Sequence, residues 1–218
     1  MKKAVTLIEL LIAVFLLTAI ILGVISFDVA SRKFLRSSER KVEVINNLTL
    51  VLEHIDKNVL MAIGDKNRPA IIVANNAGVF TIYIRQDIDP TVSSSNVAGY
   101  LLKTPWDYTD DRWATYVFDP NTHKITFSVF NSNAAGTAPG TTERFKEDIV
   151  TNSLVKNGSL PATGDLNIAI DSYGLVIENL VLRYKVEEGG APVNFDAQDN
   201  PEAIITEQFF FPLSQSTS

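Results

Sequence analysis

The chain has 218 residues, a formal net charge of −6 and no cysteine. That length suits one globular domain of ordinary size with an appended segment. The acidic balance argues against nucleic acid as the main partner, because phosphate binding needs a basic face, and the absence of cysteine excludes disulfides, thiol catalysis and cysteine-ligated metals.

The first stretch, Val5 to Phe27, carries a single charge, Glu9, and follows Met1-Lys2-Lys3-Ala4. At helical rise it covers about 35 Å, enough to cross a hydrocarbon core with some tilt. Lipid demands a helix there, since every backbone group must be satisfied internally. A secretory signal peptide would have a shorter apolar run ending in a small-x-small cleavage site. This run is longer, contains Glu9 and passes without a break into more helix. A carboxylate in a membrane helix costs a few kcal/mol even on lenient scales, so Glu9 is a functional candidate, weighed against a carboxylate that merely snorkels to the headgroups.

The run Ala4-Val5-Thr6-Leu7-Ile8-Glu9-Leu10-Leu11-Ile12 behind a short basic leader resembles the class III signal sequence of the type IV pilin and type II secretion pseudopilin superfamily. The resemblance is specific over about twenty residues. It implies that a prepilin peptidase cuts between Ala4 and Val5 and methylates the new amine of Val5. It also implies that Glu9 becomes the acidic residue used in subunit assembly, pairing with the amine of a neighbouring copy. The family usually has Gly at the place of Ala4 and Phe or Met at that of Val5; Ala is small enough for the same peptidase pocket. Lys2 and Lys3 precede the segment, and Arg32, Lys33, Arg36, Arg40 and Lys41 follow it. Charge asymmetry alone therefore does not put the N-terminus in the cytoplasm. The resemblance does, in a bacterial inner membrane.

Beyond Phe27 no proline occurs before Pro69. Val42, Ile45, Leu48, Leu52, Ile55, Val59 and Ile63 recur by threes and fours, the stripe of an amphipathic helix. One helix from Val5 to about Ala62 is expected, with Gly23 and Ser26 as places for a bend and Gly64–Pro69 as its end. Ala70–Ala74 and Val79–Arg85 read as a hairpin, with Asn and Gly in the Asn75–Gly78 turn supplying positive φ. Gln86–Trp113 reads as a long loop with a short strand near Tyr100–Lys103. Thr115–Phe118 and Lys124–Phe130 form a second hairpin around Asp119–His123. Glu143–Leu154 reads as one short helix, and Leu175–Val186 and Ala203–Phe211 as strands.

The expected fold class is α+β: a long N-terminal helix packed on an antiparallel sheet with long loops, pilin-like by the resemblance. The division is leader 1–4, transmembrane or filament-core helix 5–27, amphipathic continuation 28–63 and periplasmic β-rich domain 64–218. His54 and His123 have no nucleophile or acid constellation in view, and read as structural and solvent-exposed. Two acidic clusters are candidate calcium sites: Asp107, Asp110 and Asp111; and Asp196, Asp199 and Glu202. Neither has the spaced ligands and central glycine of an EF-hand, and solvated loops are the ordinary reading. The resemblance favours the second, since some relatives hold calcium in late loops. Trp106 and Trp113 flank the first cluster as core anchors or as part of a partner face.

The resemblance ranks a non-enzymatic larger minor pseudopilin or tip minor pilin first: Glu178–Val186 loosely resembles the late strand of those subunits, and major pilin-type subunits tend to be shorter than this chain. Its partners would be other pilin-like subunits, prepilin peptidase and the inner membrane. The alternative is a single-pass anchored binding protein that keeps residues 1–4 and turns a β-rich domain to the envelope.

Overall fold

The computed structural model describes residues 7–64, 67–87, 108–109, 111–151, 153–154, 165–171, 174–184, 204–210 and 214–215. One helix, α1, runs from Leu7 to Leu60, passing Gly23 and Ser26 without interruption. Compactness divides the chain into two units, residues 1–42 and 43–218.

In the second unit, burial on α1 begins at Val44 and continues through Leu48, Val51, Ile55, Asn58 and Val59. The inward face is thus rotated from the expected stripe. Val42 and Ile45 stand about half exposed and Leu52 is half-buried, because this part of the helix carries more apolar residues than one face can hold. Each fully buried aliphatic side chain on that face contributes about 1.5–3 kcal/mol.

The helix packs on a five-stranded antiparallel meander: β2 (Ile71–Asn76), β3 (Val79–Gln86), β4 (Arg112–Asp119), β5 (Lys124–Ser132) and β6 (Pro139–Val150), in that spatial order. Alternation puts Phe80, Ile82, Ile84, Ala114, Tyr116, Phe118, Ile125 and Phe127 in one core with the helix. Both expected hairpins are present. The strands extend further than the sequence suggested, because pairing carries β3 to Gln86 opposite Arg112.

The first turn departs from expectation in detail. Strand β2 continues through Asn76, so Ala77 and Gly78 make the two-residue turn, with φ of +52° and +84°. Segment 143–154 is not a helix: Pro139–Val150 is the edge strand β6. Its Glu, Arg and Lys content favours helix locally, but pairing along β5, with three register shifts, overrides that preference.

A second antiparallel sheet holds β7 (Asn167–Ile170), β8 (Leu175–Leu182) and β9 (Ile204–Phe210) in that order. Strand β8 contains a bulge between Ile177 and Leu180, where Asn179 takes a φ of +55°. The extra residue changes the parity of the strand. Leu175 and Ile177 before it, and Leu180 and Leu182 after it, all reach the core. A short parallel pair joins β1 (Ile63–Gly64) to β10 (Ser214–Gln215). The strand expected near residues 100–103 lies outside the described residues.

Ala77 occupies a left-handed position that costs an ordinary residue about 1–2 kcal/mol and Asn less. Ala77→Asn is expected to stabilise the domain by about 0.5–1 kcal/mol, read as a rise in denaturation midpoint at unchanged slope.

Candidate functional site

Within residues 7–27 every large apolar side chain is about half exposed or more, from 49% at Ile21 to 80% at Leu7. A helix apolar all round requires apolar surroundings, and α1 is long and apolar enough to cross a membrane. The hydroxyls in this stretch are satisfied internally: Thr18 Oγ1 donates to the Val14 carbonyl and Ser26 Oγ to that of Leu22, each at 2.8 Å. That is the arrangement lipid requires of polar groups. Glu9 lies exposed in the first turn, where the helix dipole favours a carboxylate. Basic residues resume at Arg32, which pairs with Asp28 one turn earlier at 2.9 Å.

Ala4 and Val5 lie outside the described residues, as do Asp196, Asp199 and Glu202, Asp107 and Asp110, and Trp106. Asp111 is described, and it is no open calcium ligand. It is fully buried, with Oδ2 3.8 Å from Arg85 Nε. Among the described residues no group of three or more His, Asp or Glu side chains could hold a metal ion. Trp113 is a core anchor: it is fully buried, and its Nε1 donates to Ser132 Oγ at 2.8 Å.

Sequence reasoning missed Arg85. This side chain sits fully buried and ties together three separate stretches. Its Nε donates to the Ile63 carbonyl at 3.2 Å, Nη1 to that of Gly136 at 3.2 Å, and Nη2 to that of Arg68. The guanidinium also stacks over Tyr108, 4.5 Å from the ring centre, with Arg68 4.3 Å from the same ring. Two glycines make room for this closure. A Cβ on Gly136, whose φ is +65°, would strike Tyr108, and one on Gly64 would strike the Ala70 backbone. The only hint in the sequence is a charged residue at the end of an otherwise apolar-alternating strand.

The second missed cluster joins helix to sheet. Asn58 lies on the inward helix face; its Nδ2 donates to Tyr116 Oη at 2.6 Å, and its Oδ1 accepts from Gln86 Nε2 at 2.8 Å. Tyr116 Oη in turn lies 2.8 Å from His54 Nδ1 and 2.9 Å from the His54 carbonyl. Burial pushes the Tyr116 phenol well above its ordinary pKa and pushes the His54 imidazole below its own. The Glu147 carboxylate opposes the effect on His54, and Lys57 adds to it. His54 is thus structural, as expected. His123 is not simply exposed: it is half-buried in a left-handed turn position, φ +58°, with Nδ1 2.7 Å from the Leu154 carbonyl.

No protein-family model, curated protein or solved structure matches this chain.

Two outcomes are expected here. Arg85→Lys keeps the charge but loses the planar fork, leaving buried carbonyls without donors. It should destabilise the full chain in detergent by about 2–4 kcal/mol in denaturant titration. Burial holds the His54 pKa in the fold below the ordinary value of 6.5 that the unfolded chain keeps. Its contribution is therefore complete above that pH and is lost as pH falls below it. Asp119 and Asp148 act in a separate window. Burial raises Asp119, but hydrogen bonds from Thr122 and Asn121 outweigh it; hydrogen bonds from Lys124 and Thr126 lower Asp148. Both groups lose their contribution only as pH falls below the ordinary carboxylate range. Melting wild type and His54→Gln between pH 7 and 5 should show a decline in the former that is flatter in the latter.

Proposed function

We propose that the chain is a non-enzymatic minor pseudopilin or minor pilin of a bacterial inner membrane, pilin-like in fold. Prepilin peptidase cuts between Ala4 and Val5, and the Val5 amine is methylated. The apolar first half of α1 holds the subunit in the bilayer until it is drawn into a filament. There the apolar helices bundle, and the Glu9 carboxylate meets the amine of a neighbouring subunit. Pairing offsets the desolvation of both charges, which a mismatched register would leave uncompensated.

One observation carries this reading. The first half of α1 is apolar on every side, with a carboxylate in its first turn, and is continuous with a segment packed on an antiparallel sheet. A plain anchor needs only the first of these features.

The test has two parts. The intact N-terminal mass of the protein from its native membrane is expected to begin at Val5, with or without a methyl group. Glu9→Ala is expected to abolish or slow incorporation into the filament while the domain of residues 43–218 stays folded. An intact Met1 start, or normal incorporation of Glu9→Ala beside wild-type partners, overturns the reading. A Met1 start would leave the segment as the anchor of a membrane-bound binding protein.

A further inference from the structure

Shortly after its apolar stretch, α1 carries a concentrated run of basic residues. Five of the chain's 19 lysines and arginines lie between Asp28 and Val42: Arg32, Lys33, Arg36, Arg40 and Lys41. Asp28 and Glu39 are the acidic residues of that run, in a chain whose net charge is −6. The run is therefore cationic within a protein that is otherwise acidic.

Helical spacing puts Arg32, Lys33 and Arg36 within about a third of the helix circumference, with Phe34 and Leu35 on the other side. All three basic residues are exposed, whereas Arg40 and Lys41 are half-buried. Arg32 pairs with Asp28, but both side chains are more than half exposed, and such a pair is worth little in water.

Position fixes what faces this patch. Arg32 and Arg36 follow Phe27 by five and nine residues, about 8 and 14 Å along the axis. The polar layer of a bilayer is about 5–8 Å deep on each side of the hydrocarbon. Helix side chains lean toward the N-terminus, here back toward the apolar stretch, and the long stems of lysine and arginine carry the charge to the headgroups. Arg40 and Lys41, about 20 Å past Phe27, lie beyond that reach.

The headgroup such a patch favours is a phosphodiester with no compensating ammonium. An arginine fork matches two phosphate oxygens, and lysine adds a point charge. An acidic protein segment has the complementary charge too, but nothing holds it against these residues. A bilayer crossed by α1 must place its headgroups there.

We propose that Arg32, Lys33 and Arg36 bind the phosphate of an anionic phospholipid in the leaflet that α1 leaves past Phe27. The proposal rests on α1 crossing a membrane and stands whether or not the helix enters a filament.

The test uses the full chain. Protease protection in phosphatidylcholine vesicles checks the span, and residues 7–27 are expected to be protected in wild type and in the combined Arg32→Gln, Lys33→Gln and Arg36→Gln variant alike. Native mass spectrometry from a nonionic detergent holding equal amounts of phosphatidylglycerol and phosphatidylcholine then reads the bound lipid. Each basic residue near an anionic surface is worth about fivefold in affinity. Wild type should thus retain phosphatidylglycerol over phosphatidylcholine by about tenfold or more. The triple variant should lose most of that preference, and the combined Arg40→Gln and Lys41→Gln variant should keep it. Equal retention of the two lipids, a preference unchanged in the triple variant, or binding of a hexaglutamate peptide with no lipid preference overturns the proposal. Residues 7–27 left unprotected would instead overturn the membrane reading beneath it.

Discussion

The sheet domain rests on the seam between the inward face of α1 and the inner face of the meander. Val51, Ile55 and Val59 are fully buried there, in one core with the inner residues of the meander and of the second sheet. A helix of this composition gains most of its stability from such packing rather than from propensity. The sheet likewise needs the helix to close its apolar side. Among the described residues, the polar groups of the seam form a satisfied set, with Asn58, Tyr116 and Gln86 answering one another. The set has little tolerance for sliding, because a shift of the helix by one residue would leave those groups buried and unbonded.

Arg85 performs a related task at the end of the seam. The chain leaves the helix through Ile63, and the β5–β6 connection returns past Gly136; both carbonyls point to the same guanidinium. A fork with several donors can close such a junction where a neutral side chain could satisfy only part of it. Asp111 and the face of Tyr108 supply the negative surroundings that make a buried cation tolerable. The same group therefore fixes where the helix ends relative to the sheet and where the hairpin tip rests.

Much of this was legible in the sequence, for a physical reason: period and punctuation are local. The long apolar stretch, the end of the helix near Gly64, the two hairpins and the late strands follow from residues close together in the chain. Other features depend on distant partners. The inward helix face was misphased because Asn58 turns inward to meet Tyr116 and Gln86, which no local pattern reveals. Segment 143–154 reads as helix until β5 is beside it. The alternation of β8 resolves only when Asn179 is recognised as a bulge. The candidate site divides the same way. Glu9 stands out as one charge in an apolar run, whereas Arg85 is an ordinary strand residue until its neighbours are known.

The parallel pair of β1 and β10 has a consequence for biosynthesis. Ile63 and Gly64, immediately after the helix, take their strand partners from Ser214 and Gln215. Contacts so far apart in the chain form late, because the intervening loop must be closed first. During synthesis residues 214–215 emerge some 150 residues after Ile63 and Gly64. The helix exit is left without that partner for the whole interval. A chain held at a membrane by α1 would thus close this junction only once residues 214–215 have emerged, and a ribosome stalled earlier would leave it open to proteolysis.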